Sequence, residues 1–215
     1  MDIQISEAHR NRITLSLYWG IRALLGIAAA FFLWRIDFAA AGSTILILLI
    51  TLIPALLKKR YRFYIPFALD LALTAFVFAT LFLGEVARFY DRIPFWDKFL
   101  HFQSGFLLGS TGYVLIYILN KQRRMRLTLS PVFISLFAVS FSIAIGALWE
   151  IVEFTIDSIA GSPIAQHGLS DTMWDLIADT VGSILFSVIG YFWMYRHKRL
   201  PFTPWLIRIL NQISE

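Results

Sequence analysis

The sequence predicts an all-α membrane protein in which six transmembrane helices form one bundle and both termini face the cytoplasm. Three observations lead to this fold class. Apolar residues make up 58% of the 215-residue chain and only 15% are charged, whereas a soluble domain carries about 25% charged residues. Six apolar stretches are long enough to cross a bilayer. Lysine and arginine residues are concentrated in alternate loops, as in polytopic membrane proteins.

The six predicted spans lie near residues 13–34, 42–57, 65–84, 98–119, 132–160 and 173–195, and they form a single transmembrane domain over residues 1–215. The fifth span is the longest, so it is expected to tilt or to project beyond the hydrocarbon. The first apolar run is too long for a cleaved signal peptide. The chain contains no cysteine, which excludes a disulfide framework, a thiolate zinc site and a cysteine nucleophile.

The distribution of lysine and arginine predicts the orientation of the bundle. Fourteen of these 19 residues lie in the amino tail, the second and fourth loops and the carboxyl tail, and four lie in the alternate loops. Because cytoplasmic loops carry the excess of positive charge, both termini are predicted to be cytoplasmic. The net charge of +5 then belongs to arms that face anionic lipid, and no nucleic-acid partner is expected.

Charged residues inside the predicted spans gather at the outer ends of spans four, five and six. Asp97 and His101 are four residues apart at the start of span four. Span five ends with Glu150, Glu153 and Asp157, and span six begins with Asp171, Asp175 and Asp179. Each set follows a helical period and forms one stripe, which glycine and serine residues continue inwards. The three spans are therefore expected to pack through these stripes and to bring their acidic ends into one outward-facing pit.

The energetics of this pit predict a bound cation. A charged side chain at the centre of a membrane helix costs about 2.5–3.5 kcal/mol, and clustered carboxylates repel one another. A divalent ion held by several of these oxygens offsets both costs. The predicted metal ligands are Glu150, Glu153, Asp157, Asp171, Asp175 and Asp179. Carboxylates with one imidazole favour Mg²⁺, Mn²⁺ or Ca²⁺, with zinc or iron as further candidates.

His101 and Asp97 are the predicted catalytic residues. His101 would act as general acid/base or as a ligand, with Asp97 orienting it. Structural alternatives stay open at this point, because Asp97 and Asp171 could cap their helices and Asp157 could be a solvated end charge.

Two further sets of charges lie outside this pit. Arg88 and Arg92, one turn apart in an outer loop, are the predicted substrate-binding residues, because guanidinium groups suit a headgroup phosphate. They could equally pair with acidic neighbours in the same loop. Arg22 and Asp70 are expected to pair across the bundle, and unpaired they would suggest a transport path.

The motifs at these positions resemble the YjdF-like family of bacterial inner-membrane proteins. They are Trp-Asp-Lys-x-x-His at 96–101, Trp-Glu-x-x-Glu-Phe-x-x-Asp at 149–157 and Asp-Thr-x-x-Asp-x-x-x-Asp-x-x-Gly at 171–182. The resemblance implies a multi-pass protein of the bacterial cytoplasmic membrane and lends no catalytic role. The first and last motifs distantly resemble the VanZ family of the cell envelope, but the turn at 161–167 lacks the arginine typical of that family.

Three functions follow from the acidic pit. The first is a metal-dependent hydrolase or transferase that acts on a lipid phosphoester at the periplasmic or exterior face of the membrane. The second is a transporter of divalent cations or protons, for which the polar path should continue to the cytoplasm. The third is a non-catalytic membrane protein whose metal only joins three helices. In each case membrane lipid is the expected environment, and in the first it is also the substrate.

Overall fold

The structure, a computed structural model, is all-helical over the residues that it describes, 2–61, 67–121, 129–162 and 168–197. The helices are α1 (Asp2–Trp34), α2 (Phe38–Tyr61), α3 (Phe67–Val77), α4 (Phe89–Arg92), α5 (Trp96–Lys121), α6 (Pro131–Ala160) and α7 (Leu169–His197). A π-helical segment over Phe78–Val86 continues α3. The predicted all-α fold class is therefore confirmed for this part of the chain.

Three of the described helices are long and apolar enough to cross a membrane. They are Leu15–Trp34 within α1, Pro131–Ala160 (α6) and Leu169–His197 (α7). The apolar part of α2, Phe38–Ile53, is shorter, and α5, with 26 residues, carries more glycine and polar positions. The chain is thus a helical membrane protein. A crossing of the membrane by α2, α3 and α5, and the cytoplasmic location of both termini, stay predictions.

Part of the sequence behind the topology prediction lies outside the described residues. The third predicted span begins at residue 65, within the undescribed stretch 62–66. The same holds for seven of the basic residues that set the orientation, which are Arg62, Arg123, Arg124, Arg126, Lys198, Arg199 and Arg208.

The chain divides into two compact units, one over the described residues up to Pro94 and one over those from Phe95. In the first unit, α1 packs against α2 and α3 around buried polar groups. The Tyr18 hydroxyl donates to Asp70 Oδ2 at 3.1 Å, and the Arg22 guanidinium lies 3.7 Å from the centre of the Tyr18 ring. Arg22 also donates to the carbonyl of Thr51. Arg22 and Asp70, which the sequence predicts to pair, are thus linked through Tyr18.

The π-helical segment ends the first unit's third helix in a wide turn. The amide of Ala87 donates to the carbonyl of Phe82, five residues earlier, at 2.8 Å, which is the bonding pattern of a π-helix. Arg88 follows in the left-handed conformation with φ 60° and reverses the chain into α4. The ring of Tyr90 packs on Gly84, where an added Cβ would lie 2.3 Å from Tyr90 Cε2.

In the second unit, α5, α6 and α7 pack against one another through glycine residues. A Cβ at Gly105 would lie 2.0 Å from the carbonyl oxygen of Asp179, and one at Gly182 would lie 2.1 Å from that of Phe102. A Cβ at Gly112 would lie 2.8 Å from Cα of Ala138 on α6. Only glycine allows backbones to approach this closely. The predicted packing of these three helices through small residues is confirmed.

An aromatic core fills the second unit further along α7. Phe186 lies seven residues, or about 10 Å, beyond Asp179, and its ring meets the rings of Phe106 at 5.1 Å and Tyr113 at 5.4 Å edge-on. The Tyr113 hydroxyl lies 2.6 Å from Ser135 Oγ and donates to the carbonyl of Ser187 at 3.0 Å. This core ties the three helices together on the side away from the acidic residues.

Local sequence chemistry sets both ends of α6. Ser130 accepts a hydrogen bond from the amide of Phe133 at 3.1 Å, and Pro131 occupies the first helical position, where a missing N–H costs nothing. Gly161 ends the helix with φ 67°, a conformation that glycine adopts without strain. These two ends fix the level at which α6 presents its acidic residues.

Candidate metal centre

The acidic ends of α5, α6 and α7 meet at one buried site. Asp97 and His101 project from successive turns of α5, while Asp175 and Asp179 project from successive turns of α7. Glu150 reaches the same place from α6, and its exposed fraction is only 5%. Asp97, His101 and Asp175 each offer one donor atom, and these three atoms lie within 4.8 Å of one another. The sequence prediction that charged residues of these three helices gather in one place is confirmed for these five side chains.

His101 lies at the centre of the site and contacts a carboxylate through each ring nitrogen. Nδ1 is 3.2 Å from Asp179 Oδ2, a hydrogen-bonding distance. Nε2 is 3.7 Å from Asp97 Oδ1 and 3.9 Å from both Glu150 Oε1 and Asp175 Oδ1, which is too long for hydrogen bonds. In the tautomer whose Nδ1 proton is directed at Asp179, the Nε2 lone pair faces three carboxylate oxygens across a small space, whereas a protonated Nε2 would form ion pairs with them.

These separations fit a shared cation. Two donors bound to one four-coordinate ion at about 2.1–2.3 Å lie about 3.4–4.0 Å apart, because they subtend an angle of about 110–120°; neighbouring ligands of a six-coordinate ion lie closer together, at about 3.0–3.3 Å. The distances from Nε2 fall in the first of these ranges. The Nδ1 contact to Asp179 also follows the pattern of metal-ligating histidines, which donate their second N–H to a carboxylate. Asp97, His101 and Asp175 can therefore hold a divalent ion, with Glu150 beside the imidazole and Asp179 orienting it.

Asp179 is positioned by close packing and by a serine. Its Oδ2 lies where a side chain at Gly146 would stand, since a Cβ there would be 2.6 Å away. The Ser104 hydroxyl contacts Asp179 Oδ1 and lies 2.8 Å from the carbonyl oxygen of His101. The carboxylate is thus wedged between α5 and α6 with an exposed fraction of 1%, which fixes the imidazole ring in turn.

Lys98 supplies positive charge at the more exposed end of the site. Its ammonium lies 3.1 Å from Asp97 Oδ2 and 3.0 Å from Asp175 Oδ1, and it also pairs with Asp171. The exposed fraction of the side chain falls from 35% at Asp97 and 25% at Lys98 to 3% at Asp175. The site therefore opens at the level of Lys98 and closes at Asp179.

Sequence reasoning missed Lys98 and Ser104 as members of the site. Lys98 belongs to the motif Trp-Asp-Lys-x-x-His and to the basic residues outside the cytoplasm, and its place between Asp97 and His101 in an apolar helix is the signal that could have assigned it to the site. The predicted need for a balancing cation is met in part by this ammonium group. Ser104 follows His101 by three residues and faces the same side of α5, but a serine at that spacing has no specific meaning in a sequence.

Three of the other predicted site residues have contacts of their own. Glu153 is half-buried and accepts a hydrogen bond from Trp149 Nε1 at 2.9 Å. Asp157 lies in the last turn of α6, where its carbonyl accepts the amide of Gly161. Arg88 and Arg92 belong to the first unit, and there Arg88 Nε pairs with Asp91 at 2.9 Å, as one of the sequence alternatives held. The roles predicted for these four residues stay predictions.

Replacing Lys98 with methionine is expected to lower the free energy of unfolding by about 3 kcal/mol at pH 8, because three aspartates lose their common partner. The loss should shrink at pH 5, since protonation of the carboxylates removes the repulsion that Lys98 offsets. Denaturant titrations of the purified protein in detergent micelles at both pH values measure the effect.

The control for this change is Arg196→Met, which removes an exposed cation from the last turn of α7 and should leave stability nearly unchanged. An equal loss of stability at pH 5 and pH 8 for Lys98→Met would contradict the role of Lys98 as the partner of ionised aspartates.

The apolar helices and the buried acidic cluster define the class of the protein, an integral membrane protein of α-helical type with a site built from three helices. The chain belongs to the family described as "Predicted membrane protein (DUF2238)", whose model matches residues 17–196. The likeness to the YjdF-like and VanZ families stays a prediction.

A protein of Thermotoga maritima is similar over nearly its whole length. It is 34% identical over 192 residues, which are 89% of this chain and 93% of the relative, and its name is "Uncharacterized protein". No solved structure matches the chain.

Proposed function

We propose that the protein is a metal-dependent hydrolase or transferase that acts on a lipid phosphoester at the outer face of a bacterial cytoplasmic membrane. The observation that supports this best is the position of His101 Nε2, 3.7–3.9 Å from the carboxylate oxygens of Asp97, Glu150 and Asp175. These distances are too long for hydrogen bonds, and joint coordination of one cation by His101, Asp97 and Asp175 would account for the grouping of their donor atoms.

The ligand set indicates which ions to consider. The carboxylates of Asp97 and Asp175 outnumber the one imidazole, which favours Mg²⁺, Mn²⁺ or Ca²⁺, and the imidazole keeps zinc and iron as the next candidates. A divalent ion bound there would polarise a phosphoryl oxygen. In this proposal His101 is a ligand held by Asp179, and Glu150 is placed to take a proton from a water molecule.

The positive charge at the opening of the site favours binding of an anionic lipid headgroup over passage of a free cation. Lys98 stands at the more exposed end, where it can attract a phosphate while it balances the aspartates. In the other direction the aromatic core around Phe186 and Tyr113 fills the unit. Beyond Asp179 the buried polar residues of α7 are Ser183 and Ser187, and the helix carries no further charged side chain before Arg196, which gives the transport hypothesis little support.

The proposal is tested with purified protein in vesicles that contain phosphatidic acid, phosphatidylglycerol and phosphatidylethanolamine. Release of phosphate or of a phosphorylated headgroup is measured with Mn²⁺ present, and Mn²⁺ entry is followed with a chelating dye trapped inside. The unchanged protein is expected to release phosphate or headgroup, and the rate should be about a hundredfold lower in Asp175→Asn, because that variant lacks a metal ligand. Asp91→Asn, which removes an exposed carboxylate of the other unit, is the matched control.

Two results would overturn the proposal. Mn²⁺ entry that depends on Asp175 without release from any lipid would identify a transporter. A protein that retains Mn²⁺ but shows neither release nor entry would be one in which the metal only joins three helices.

A further inference from the structure

A groove lies between α2 and the π-helical segment, entirely within the first unit. This open groove has a volume of about 620 Å³, within the usual range of small-molecule sites. Its walls are apolar for most of their length and include Leu46, Ile47 and Ile50 from α2 with Leu81 and Val86 from the π-helical segment. None of these residues belongs to the acidic site of the second unit.

The shape of the groove fits one leaflet of a bilayer. Its α2 wall runs from Ala39 to Ile50, and at 1.5 Å per residue this is about 16 Å long. The hydrocarbon core of a bilayer is about 30 Å thick, so one leaflet contributes about 15 Å. A helix about 10 Å across would seat only part of its width in a groove of this volume, whereas an acyl chain can lie along it. We therefore take an acyl chain as the occupant.

Charged residues of both signs stand at one end of the groove. Asp37, Glu85 and Arg88 all line it, and all three are exposed. Asp37 is fixed by its hydrogen bond from the amide of Ala40 at 3.0 Å, at the start of α2. Arg88 is fixed by its left-handed backbone and by the contact of its Nε with Asp91. An arginine has four further N–H donors, which can reach a phosphate at this end.

We propose that this groove binds a phospholipid with a primary-amine headgroup, such as phosphatidylethanolamine. The acyl chain would lie along the apolar walls, the phosphate would bind Arg88, and the ammonium would bind the carboxylates of Asp37 and Glu85. Arg88 lies among three carboxylates here, those of Asp37 and Glu85 in the groove wall and that of Asp91 at its Nε, and this excess of acid complements a headgroup that carries an ammonium beside its phosphate. Anionic headgroups would meet Asp37 and Glu85 unfavourably, and quaternary amines have no N–H to donate.

This inference goes beyond the proposed enzyme function and does not need a metal. The test uses the full-length protein, stripped of lipid in detergent and inserted into nanodiscs of phosphatidylcholine with a minor fraction of phosphatidylethanolamine or phosphatidylglycerol. Native mass spectrometry counts the lipids that each chain retains after the nanodisc is removed. Phosphatidylethanolamine is expected to be retained about tenfold over either other lipid. Because the metal is left out, the enzyme proposal can fail while this one holds.

Two pairs of variants localise the binding. Arg88→Gln should abolish the tenfold preference, while Arg35→Gln removes an exposed arginine that does not line the groove and should leave it unchanged. Leu46→Trp should fill the groove and reduce retention of every lipid, while Leu49→Trp adds the same bulk at an exposed position of α2 outside the groove. Circular dichroism and gel filtration confirm that each variant is folded.

Equal retention of the three lipids would overturn the proposal, since it would show ordinary boundary lipid. So would a covalent dimer of Leu46→Cys formed under mild oxidation in a chain that otherwise has no cysteine, because it would place a second copy against the groove. A preference that survives Arg88→Gln would show that the headgroup binds elsewhere.

Discussion

Replacing His101 with alanine is expected to weaken the binding of Mn²⁺ by at least about a hundredfold. The change removes the one nitrogen ligand of the candidate centre, and it leaves Asp97, Glu150 and Asp175 facing one another without the group at their centre. Removing a partner that only orients a ligand costs about 10- to 100-fold in metal affinity, so Asp179→Asn should have the smaller effect of the two. Isothermal titration calorimetry with Mn²⁺ in detergent measures both.

The matched control for this change is His197→Ala. His197 is exposed at the end of α7 and lies 3.1 Å from the carbonyl oxygen of Trp193 through its Nδ1, so its loss should leave Mn²⁺ affinity unchanged. Wild-type affinity in a folded His101→Ala protein would contradict the metal centre. The fold of each variant is checked by its thermal unfolding in the absence of metal.

Replacing Gly182 with leucine is expected to lower the free energy of unfolding by about 3 kcal/mol or more. A Cβ at this position would lie 2.1 Å from the carbonyl oxygen of Phe102 and 2.9 Å from the amide nitrogen of Phe106. Both atoms belong to the backbone of α5 and cannot turn aside, so the two helices must separate. The carboxylate of Asp179, one turn earlier on α7, would move away from His101 with them.

Unfolding in mixed micelles with increasing denaturing detergent measures this loss of stability. Gly20→Leu is the control, because a Cβ at Gly20 meets nothing within 4 Å and leucine has the higher helix propensity. Equal stability of Gly182→Leu and the unchanged protein would show that α5 and α7 are not in the close contact described above.

The helices and their packing faces are the features that the sequence predicts well. Long apolar runs and residues three or four apart are local properties, and they already place Asp97 and His101 on one face of α5 and Asp175 and Asp179 on one face of α7. Glycine at 105 and 182 predicts a close approach because few other reasons exist for glycine inside a membrane helix. The meeting of the acidic ends in the second unit follows from these two facts.

Which residues enter the site depends on the angles at which the helices cross, and the spacing of residues along the sequence does not predict those angles. Glu150 and Glu153 lie on the same predicted stripe, yet only Glu150 lies within 3.9 Å of the imidazole, while Glu153 bonds to Trp149. The contact of Lys98 with Asp171 and Asp175 joins residues more than 70 positions apart, so no local pattern reveals it. The insertion of Tyr18 between Arg22 and Asp70 is likewise a result of tertiary packing.

The π-helical segment makes the first unit sensitive to the number of residues in its third helix. A chain shortened by one residue between 78 and 86 would keep a continuous helix, because bonds four residues apart could then replace those five apart. Everything after the deletion would nevertheless rotate by about 100°, and Glu85 and Arg88 would swing off the rim together. The extra residue in this turn therefore sets the direction in which Glu85 and Arg88 project. Its loss would leave the protein folded, with both charges turned away from the groove.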